Sequence, residues 1–374
     1  MKFINVNLLN EDFKFVKADI EIENGRIKQI CDKIAFTADE TVVDCEGYRM
    51  IPGFVDVHIH GCAGTDTMDA TRESMENMTK YLITKGVTSF CPTTMTAPKE
   101  DIIAAVKNVR DCMVHPCEGT SIVGVNMEGP FIAPKRKGAQ KADHIVHPDF
   151  DFFKEVYEAS EGIIKLVDVA PEEDKNGEFI AQAKKFCTVS IAHTMTNYEG
   201  TKQAIEQGVT HITHLYNAMT GFTHREPGVV GAVFDDERVR AEIICDGHHI
   251  HPAVLRTTFK LLKDRAIVVS DAMRAAGLPE GEAYDLGGQD VTVRNGLATL
   301  QDGTIAGSVT NMHDEVKNLV KFGISLEEAV KAATLTPAKA IGMENEIGSI
   351  SVGKKADLLL LDEHLEIAAV YHEH

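Results

Sequence analysis

Short apolar runs alternate with helical patterns of hydrophobic residues through most of this chain. The runs predict eight β-strands, at Met50–His60, Val87–Thr94, Ser121–Gly129, Ile163–Pro171, Thr188–Thr194, Thr210–Tyr216, Arg240–Gly247 and Ala266–Asp271. Apolar spacing of about 3.6 residues predicts helices between them, among them Arg72–Lys85, Lys99–Cys112, Asp149–Ser160 and Gly200–Gly208. Eight such units predict a (β/α)8 TIM barrel. A doubly wound sheet is the alternative, but no glycine-rich phosphate loop follows the first predicted strand.

The two ends of the chain have a different pattern, with short alternating strands. The predicted terminal strands are Phe13–Val16, Asp19–Ile22, Arg26–Ile30, Thr41–Val43, Gly348–Ile350, Ala356–Leu361 and Ile367–Tyr371. Asn24-Gly25 predicts a hairpin turn, and residues 1–50 predict a small antiparallel sheet. We therefore expect a small β-sandwich domain built from residues 1–52 and 346–374, and a barrel spanning residues 53–345.

A further excursion is predicted after the eighth barrel strand. Asn295-Gly296 indicates a second hairpin, and the helical patterns Ser308–Phe322 and Leu326–Ile341 follow it. We expect the hairpin to leave the barrel and the two helices to complete it.

Composition narrows the class of protein. The 374 residues are 44% hydrophobic and 25% charged, as in ordinary globular proteins, and the net charge of −19 leaves no basic footprint for nucleic acid. No apolar stretch reaches the roughly 18 residues of a membrane span, and the first residues lack the apolar core of a signal peptide. The eight cysteines include no C-x-x-C pair. We expect a cytoplasmic protein with reduced thiols and no membrane or nucleic-acid partner.

Side chains that bind metals stand at the ends of the predicted barrel strands, where TIM barrels carry their chemistry. They are His58, His60, Glu128, His193, His214, His248, His249 and Asp271. A single histidine at a strand end is more often structural. His58 and His60, however, lie on one face of a strand, where both can bind one ion.

Strand alternation separates neighbouring candidates. If His214 points into the barrel, Ile212 does so too, and His211 points toward the helices, so we interpret His211 as structural. The same rule aligns Ile267 and Val269 with Asp271 on an inward face.

The ligand types indicate hydrolysis. Imidazoles and a carboxylate hold a divalent ion, which activates water and polarises a carbonyl oxygen. Asp271 is then the group that takes the proton of the water and returns it to a leaving nitrogen.

Several motifs resemble a known family. The combination of a split β domain with His58, His60, His193, His214 and Asp271 resembles the amidohydrolase superfamily. More narrowly, the sequence resembles the N-acetylglucosamine-6-phosphate deacetylases in the segments 52–61, 127–131, 214–219, 225–228 and 246–249. The resemblance runs from end to end and implies conversion of N-acetyl-D-glucosamine 6-phosphate to D-glucosamine 6-phosphate and acetate.

The resemblance also implies roles for individual residues. Glu128, His193 and His214 would bind the principal metal, His58 and His60 allow a second ion, and Asp271 would be the acid/base. Zn, Fe, Mn and Co all suit these ligands, so one or two such ions per subunit are expected. The implied substrate contacts are Ala139, Gln140, Asn217, Ala218, Arg225, His249, Ile305, Ala306 and Gly307. Arg225 would reach the phosphate from the other subunit of a homodimer.

Gln140 departs from some members of the family, which carry a histidine there to polarise the acetyl carbonyl. A glutamine donates a hydrogen bond but cannot become cationic, so the metal would stabilise more of the oxyanion.

Three alternatives stay open at this stage. Arg225 beside Glu226 also fits an ordinary solvated surface pair. A different amidohydrolase, acting on another N-acyl or cyclic amide, is the second enzyme hypothesis, although Lys165 lies too early in its strand to be the bridging lysine of many such enzymes. A silent scaffold protein is the third, but such proteins typically lose ligands that this chain retains.

Overall fold

Twenty-one β-strands and ten α-helices build residues 1–373, the part of the chain that the computed structural model describes. The strands are β1 (Lys2–Leu9), β2 (Phe15–Glu23), β3 (Arg26–Cys31), β4 (Val42–Asp44), β5 (Arg49–Pro52), β6 (Phe54–Ile59), β7 (Gly61–Cys62), β8 (Thr65–Asp66), β9 (Val87–Thr94), β10 (Ser121–Ile122), β11 (Val125–Met127), β12 (Ile164–Val169), β13 (Thr188–Ile191), β14 (His211–Ile212), β15 (Arg240–Ile243), β16 (Ala266–Val268), β17 (Ala283–Leu286), β18 (Gln289–Arg294), β19 (Leu297–Leu300), β20 (Leu358–Leu361) and β21 (Ile367–Tyr371). The helices are α1 (Arg72–Thr84), α2 (Lys99–Val114), α3 (Phe150–Ala159), α4 (Glu178–Ala183), α5 (Tyr198–Gln207), α6 (Gly228–Asp235), α7 (Pro252–Leu262), α8 (Met312–Lys321), α9 (Leu326–Ala333) and α10 (Leu335–Ala340).

A nearly closed barrel of eight parallel strands forms the centre of the molecule and confirms the predicted fold class. Its strands follow the order β6, β9, β11, β12, β13, β14, β15 and β16, with the short β10 also paired to β9. Strands β16 and β6 are not paired as neighbouring strands of the sheet; individual hydrogen bonds connect the segments there. The Asp271 N–H donates to the His58 carbonyl at 2.9 Å, and the Ser270 hydroxyl donates to the Asp56 carboxylate at 2.6 Å. The seam therefore brings Asp271 next to the first strand.

The predicted helices are found, with one exception. The pattern at Leu326–Ile341 predicts one helix, but the structure has two, α9 and α10, separated by Thr334 with φ −137° and ψ −78°. A continuous helix would need a backbone N–H at residue 337. Proline has none, so Pro337 explains the break. The helix predicted to begin at Ser308 begins at Met312, where the Asn311 side chain caps it by accepting from the Asp314 N–H.

The strands from the two termini join in a single seven-stranded sheet, here called the accessory sheet. Its order is β21, β20, β5, β1, β2 and β3, and β4 pairs with β1. The antiparallel sheet expected for residues 1–50 is found in β1, β2 and β3, but β1 also pairs in parallel with β4 and β5. The pattern also missed β1. A bulge at Asn5, whose φ is 58°, interrupts the alternation there.

Successive side chains of the accessory sheet point to opposite faces, and both faces are buried at β20. Leu358 and Leu360 join a core made within the sheet, whereas Leu359 and Leu361 pack into the core of the barrel with Ile51. One face of the sheet therefore covers the barrel. The domain boundaries given above stay a prediction, and His374 lies outside the described residues.

The excursion after the eighth barrel strand is a three-stranded antiparallel sheet, β17–β18–β19. Asn295 and Gly296 turn its second hairpin with φ values of 53° and 74°, which confirms the predicted turn. The segment returns to the barrel at Ser308, whose N–H donates to the Asp271 carbonyl at 2.7 Å. The excursion is thereby held beside the carboxyl ends of the barrel strands.

Two further features concern the chain as a whole. Among residues 1–373, no helix is both long enough and apolar enough to cross a membrane. All eight cysteines are free thiols, and six of them are buried. The fold is therefore held together by packing and hydrogen bonds rather than by disulfides.

Candidate active site

A cavity of about 360 Å³ opens at the carboxyl ends of the barrel strands. Its lining combines groups predicted from the sequence with groups that were not: His60, Met95, Glu128, Lys135, Arg136, Gly138, Ala139, Gln140, His193, His214, Asn217, Ala218, His249, Asp271, Leu286, Thr304, Ile305 and Gly307. Strands from all round the barrel contribute, and the excursion supplies the wall from Leu286 to Gly307. This cavity is the candidate active site.

Two groups of metal-ligating atoms meet in this cavity. In one group, His58, His60 and Asp271 offer atoms that all lie within 4.8 Å of one another, and in the other Glu128, His193 and His214 do the same. All six residues are buried. The structure thus brings together Asp271 and the five residues expected to bind metal, which are His58, His60, Glu128, His193 and His214.

The Glu128 carboxylate belongs to the second group and also lies close to the first. Its Oε1 is 3.1 Å from Nε2 of both His193 and His214, and its Oε2 is 3.2 Å from Nε2 of His60. Asp271 Oδ1 lies 3.5 Å from His58 Nε2 and 3.4 Å from His60 Nε2. Four imidazole nitrogens and two carboxylates therefore converge on a small volume.

The outer nitrogens of two imidazoles are fixed by acceptors. His193 Nδ1 donates to the Arg136 carbonyl at 2.8 Å, and His58 Nδ1 donates to Glu242 Oε2 at 2.8 Å. With its proton on Nδ1, each neutral ring would present the lone pair of its inner Nε2 to an ion at the centre. His58 Nε2 is buried and has no hydrogen-bond partner. This donor set fits divalent transition metals, for which imidazole and carboxylate are preferred ligands.

The local backbone explains how strands deliver these side chains. His193, His214 and Asp271 all have positive φ values, of 43°, 28° and 46°. These are non-glycine residues in the left-handed region, a strained conformation that clusters at functional sites. Each residue therefore leaves the extended path at the end of its strand and turns its side chain into the cavity.

Electrostatics in the cavity favours ionised carboxylates. Burial acts to raise the pKa of Asp271, but His58, His60 and His214 outweigh it and hold the pKa below its usual value. Burial likewise opposes ionisation of Glu128, and hydrogen bonds from His193, His214 and His60 lower its pKa well below normal. Asp271 is therefore a carboxylate, able to accept a proton.

The predicted substrate contacts fall into three groups. Seven of the nine line the cavity: Ala139, Gln140, Asn217, Ala218, His249, Ile305 and Gly307. Ala306 is buried, and its N–H donates to the Ala298 carbonyl at 3.0 Å. Arg225 is exposed and is not part of the cavity lining of its own chain.

Gln140 is held by two partners in the cavity wall. Its Oε1 accepts from the Thr96 N–H at 2.8 Å, and its Nε2 donates to Glu128 Oε2. The side-chain amide is thus oriented toward a metal-group carboxylate.

One prediction about strand orientation is wrong. Ile212 packs in the outer core with the helices, while His211 lies inside the barrel, where its Nδ1 is 2.9 Å from Ser190 Oγ. The regular strand β14 ends at Ile212, so His214 reaches the cavity through its irregular backbone and not through alternation. Burial lowers the pKa of His211 to about 4, which keeps the imidazole neutral.

Sequence reasoning missed several residues of the site. Lys135 and Arg136 line the cavity, and the segment Pro134 to Gly138 carried a signal in its three consecutive basic residues. Met95, Leu286 and Thr304 carry no such signal, because they reach the cavity on loops and on the excursion. Glu242 was missed because it lies inside a strand and not at its end.

Comparison with known proteins identifies the family of the chain. Residues 49–372 match the amidohydrolase family model. The chain belongs to the amidohydrolase family.

Within that family, its similar relatives are deacetylases of phosphorylated amino sugars. The chain is 38% identical to the N-acetylglucosamine-6-phosphate deacetylase of Bacillus subtilis, over 96% of this chain and 94% of that protein. It is 32% identical to an N-acetylgalactosamine-6-phosphate deacetylase of Escherichia coli O157:H7, over 88% of each. A mutant N-acetyl-D-glucosamine-6-phosphate deacetylase from Mycobacterium smegmatis, solved in complex with N-acetyl-D-glucosamine-6-phosphate, superposes with a TM-score of 0.91 at 29% identity, over 100% of this chain and 97% of that one.

Proposed function

We propose that this protein deacetylates N-acetyl-D-glucosamine 6-phosphate to D-glucosamine 6-phosphate and acetate, a step of amino-sugar breakdown. The convergence of four histidines, Glu128 and Asp271 at the base of one cavity carries the proposal, since that donor set serves metal-dependent amide hydrolysis. The relatives named above support the choice of a phosphorylated N-acetyl sugar as substrate.

Different residues have different roles in the proposed reaction. Glu128, His193 and His214 would hold the principal ion, and His58 and His60 would contribute to a second. A divalent ion supplies Lewis acidity, which promotes ionisation of water and polarisation of the acetyl carbonyl. Asp271 accepts the proton of the attacking water and returns it to the amide nitrogen as the C–N bond breaks. The low pKa of Asp271 keeps it ready for the first of these transfers.

The number of ions is one or two per subunit, chosen among Zn, Fe, Mn and Co. The two adjoining ligand groups support a two-ion site, because each contains three buried donors. The carboxylate oxygens of Glu128 lie near His60 and near His193, so Glu128 would be within reach of both groups.

Recognition of the sugar phosphate is assigned to the rest of the cavity. Asn217, the Ala218 backbone and His249 would contact the phosphate end, with the side chain of His249 held by Asp246 at 2.7 Å. Burial alone would lower the pKa of His249, but Asp246 raises it, which favours the cationic form that pairs with a phosphate. Ala139, Gln140, Ile305, Ala306 and Gly307 would surround the sugar and its acetyl group.

A homodimer completes this proposal. Arg225 lies outside the cavity of its own chain, so it would reach the phosphate in the neighbouring subunit.

The free thiols of all eight cysteines support a cytoplasmic location. The accessory sheet supports the division into a catalytic barrel, residues 53–345, and a β domain from residues 1–52 and 346–374.

Acetate release tests the function directly. Protein of known metal content is assayed with N-acetylglucosamine 6-phosphate, with its galactosamine epimer and with unphosphorylated N-acetylglucosamine, before and after chelation. We expect fast turnover of the phosphorylated glucosamine derivative, a fall to background on chelation, and recovery when metal is returned.

The epimer is included because of the galactosamine-specific relative. Preference for the galactosamine derivative would replace the proposed substrate by its epimer. No release from either phosphorylated sugar by metal-loaded protein would favour a different N-acyl or cyclic amide substrate.

A further inference from the structure

A row of buried polar side chains runs through the interior of the barrel beneath the metal groups, and the proposed mechanism uses only its first member, His58. Its members share complete burial: His58, Glu242, His211, Ser190, Thr213 and Asp168. Apolar side chains such as Leu166 and Ile267 fill the rest of the interior. Burying polar and charged groups in such surroundings is costly unless their hydrogen bonds are made.

The direction of the hydrogen bonds divides this row in two. The Thr213 hydroxyl donates to Asp168 at 2.9 Å, so in its 2.6 Å contact with Ser190 it is the acceptor. Ser190 therefore donates to Thr213 and accepts from His211 Nδ1 at 2.9 Å. The neutral His211 ring then has no proton on Nε2, and this atom faces Glu242 Oε1 at 3.6 Å without a hydrogen bond.

Glu242 consequently has its hydrogen bonds on the other side, with the metal groups. Its Oε2 accepts from His58 Nδ1 at 2.8 Å and from the backbone N–H of His214 at 3.3 Å. Its backbone carbonyl accepts from the Leu215 N–H at 2.8 Å. One residue in the middle of β15 thus contacts a ligand of the first group and the backbone of a ligand of the second.

This contact determines what His58 offers to an ion. An imidazole that donates Nδ1–H to a carboxylate keeps the Nε2 lone pair free, is fixed in rotation and gains basicity. His58 Nε2 is indeed buried, lacks a hydrogen-bond partner and faces Asp271 and Glu128.

We propose that Glu242 is a positioning residue for metal binding, which orients His58 and joins the two ligand groups through His214. It acts through these residues and does not touch the substrate. The inference rests on the metal site of the proposed function, but not on the identity of the substrate.

Metal binding by purified protein tests this inference without a substrate. We compare Glu242→Gln, of nearly the same shape, and Glu242→Leu, which removes both the charge and the acceptor, with the native chain. The control is Asp168→Asn, which changes a buried carboxylate at the far end of the same row. Metal content after dialysis against graded chelator and titration of the metal-free proteins with Zn²⁺ give the affinities, and thermal unfolding of the metal-free forms monitors the fold.

We expect both Glu242 variants to lose about 10- to 100-fold in affinity for the ion at the His58 group, with the larger loss for leucine. Asp168→Asn should bind metal as the native chain does. Leucine suits the apolar interior, so Glu242→Leu keeps the test decisive if the glutamine variant folds poorly.

The inference is overturned if a folded Glu242 variant binds metal with native affinity and stoichiometry. It is equally overturned if Asp168→Asn weakens binding as much, because the row would then act only through general stability of the barrel. Native protein that binds metal but releases no acetate would contradict the proposed function and leave the role of Glu242 intact.

Discussion

Replacement of Asp271 by asparagine is expected to lower kcat by a factor of about 10² or more, with little change in KM or metal content. The side chain keeps its shape, and five other donors remain for metal binding. An amide, however, cannot accept the proton of the water or return it to the leaving nitrogen. Steady-state kinetics together with metal analysis of the same samples measures the effect.

The matched control for this variant is Asp285→Asn, a carboxylate of strand β17 that does not line the cavity. It should retain native kcat. If Asp271→Asn turns over at the native rate, Asp271 is not the proton carrier. If the variant instead loses its metal, the carboxylate serves mainly as a ligand.

Replacement of Arg225 by alanine should raise KM for the phosphorylated sugar by about 10- to 100-fold and leave the unphosphorylated sugar unaffected. A charge-assisted hydrogen bond contributes about 1.5–3 kcal/mol, and about 1.4 kcal/mol corresponds to tenfold in binding. Kinetics with both sugars measures the effect. Arg110→Ala removes a half-buried arginine paired with Glu161, outside the cavity lining, and serves as the control. Equal rises for both sugars would mean that Arg225 does not bind the phosphate.

An assay of mixed dimers distinguishes an active site built from two subunits from one built by a single chain. Asp271→Asn and Arg225→Ala chains are unfolded together, refolded and assayed at low concentrations of the phosphorylated sugar. If Arg225 serves the neighbouring subunit, mixed dimers contain one site with both native residues, and activity rises above that of either variant. No recovery from verified mixed dimers would place Arg225 in its own chain's function.

The sequence was sufficient to predict the barrel and the side chains that meet in the two metal-ligating groups, because both depend on local signals. A run of apolar residues ending in His58 and His60 reports a strand and its functional end together. The deacetylase motifs then extended the site to Asn217 and His249, which the apolar pattern alone would not distinguish from surface residues.

The missed features depend on backbone irregularities and on contacts between distant segments. Alternation failed at His211 because the backbone at His214 leaves the strand, and no local pattern reports that turn. The bulge at Asn5 concealed β1 in the same way. The cavity wall at Leu286 and Thr304 arises only when the excursion folds back, and the function of Glu242 is visible only beside His58.

The accessory sheet can be completed only late in the synthesis of the chain. Strand β5 immediately precedes β6, which carries His58, yet it pairs with β20, near the other end of the chain. At roughly 5–20 residues per second, a ribosome needs on the order of 15–60 s to make the intervening segment of about 300 residues. During that time one edge of β5 is unpaired, and such edges favour association with other chains. Nascent chains of this protein therefore have a defined period in which a chaperone that shields strand edges would raise the yield of folded enzyme.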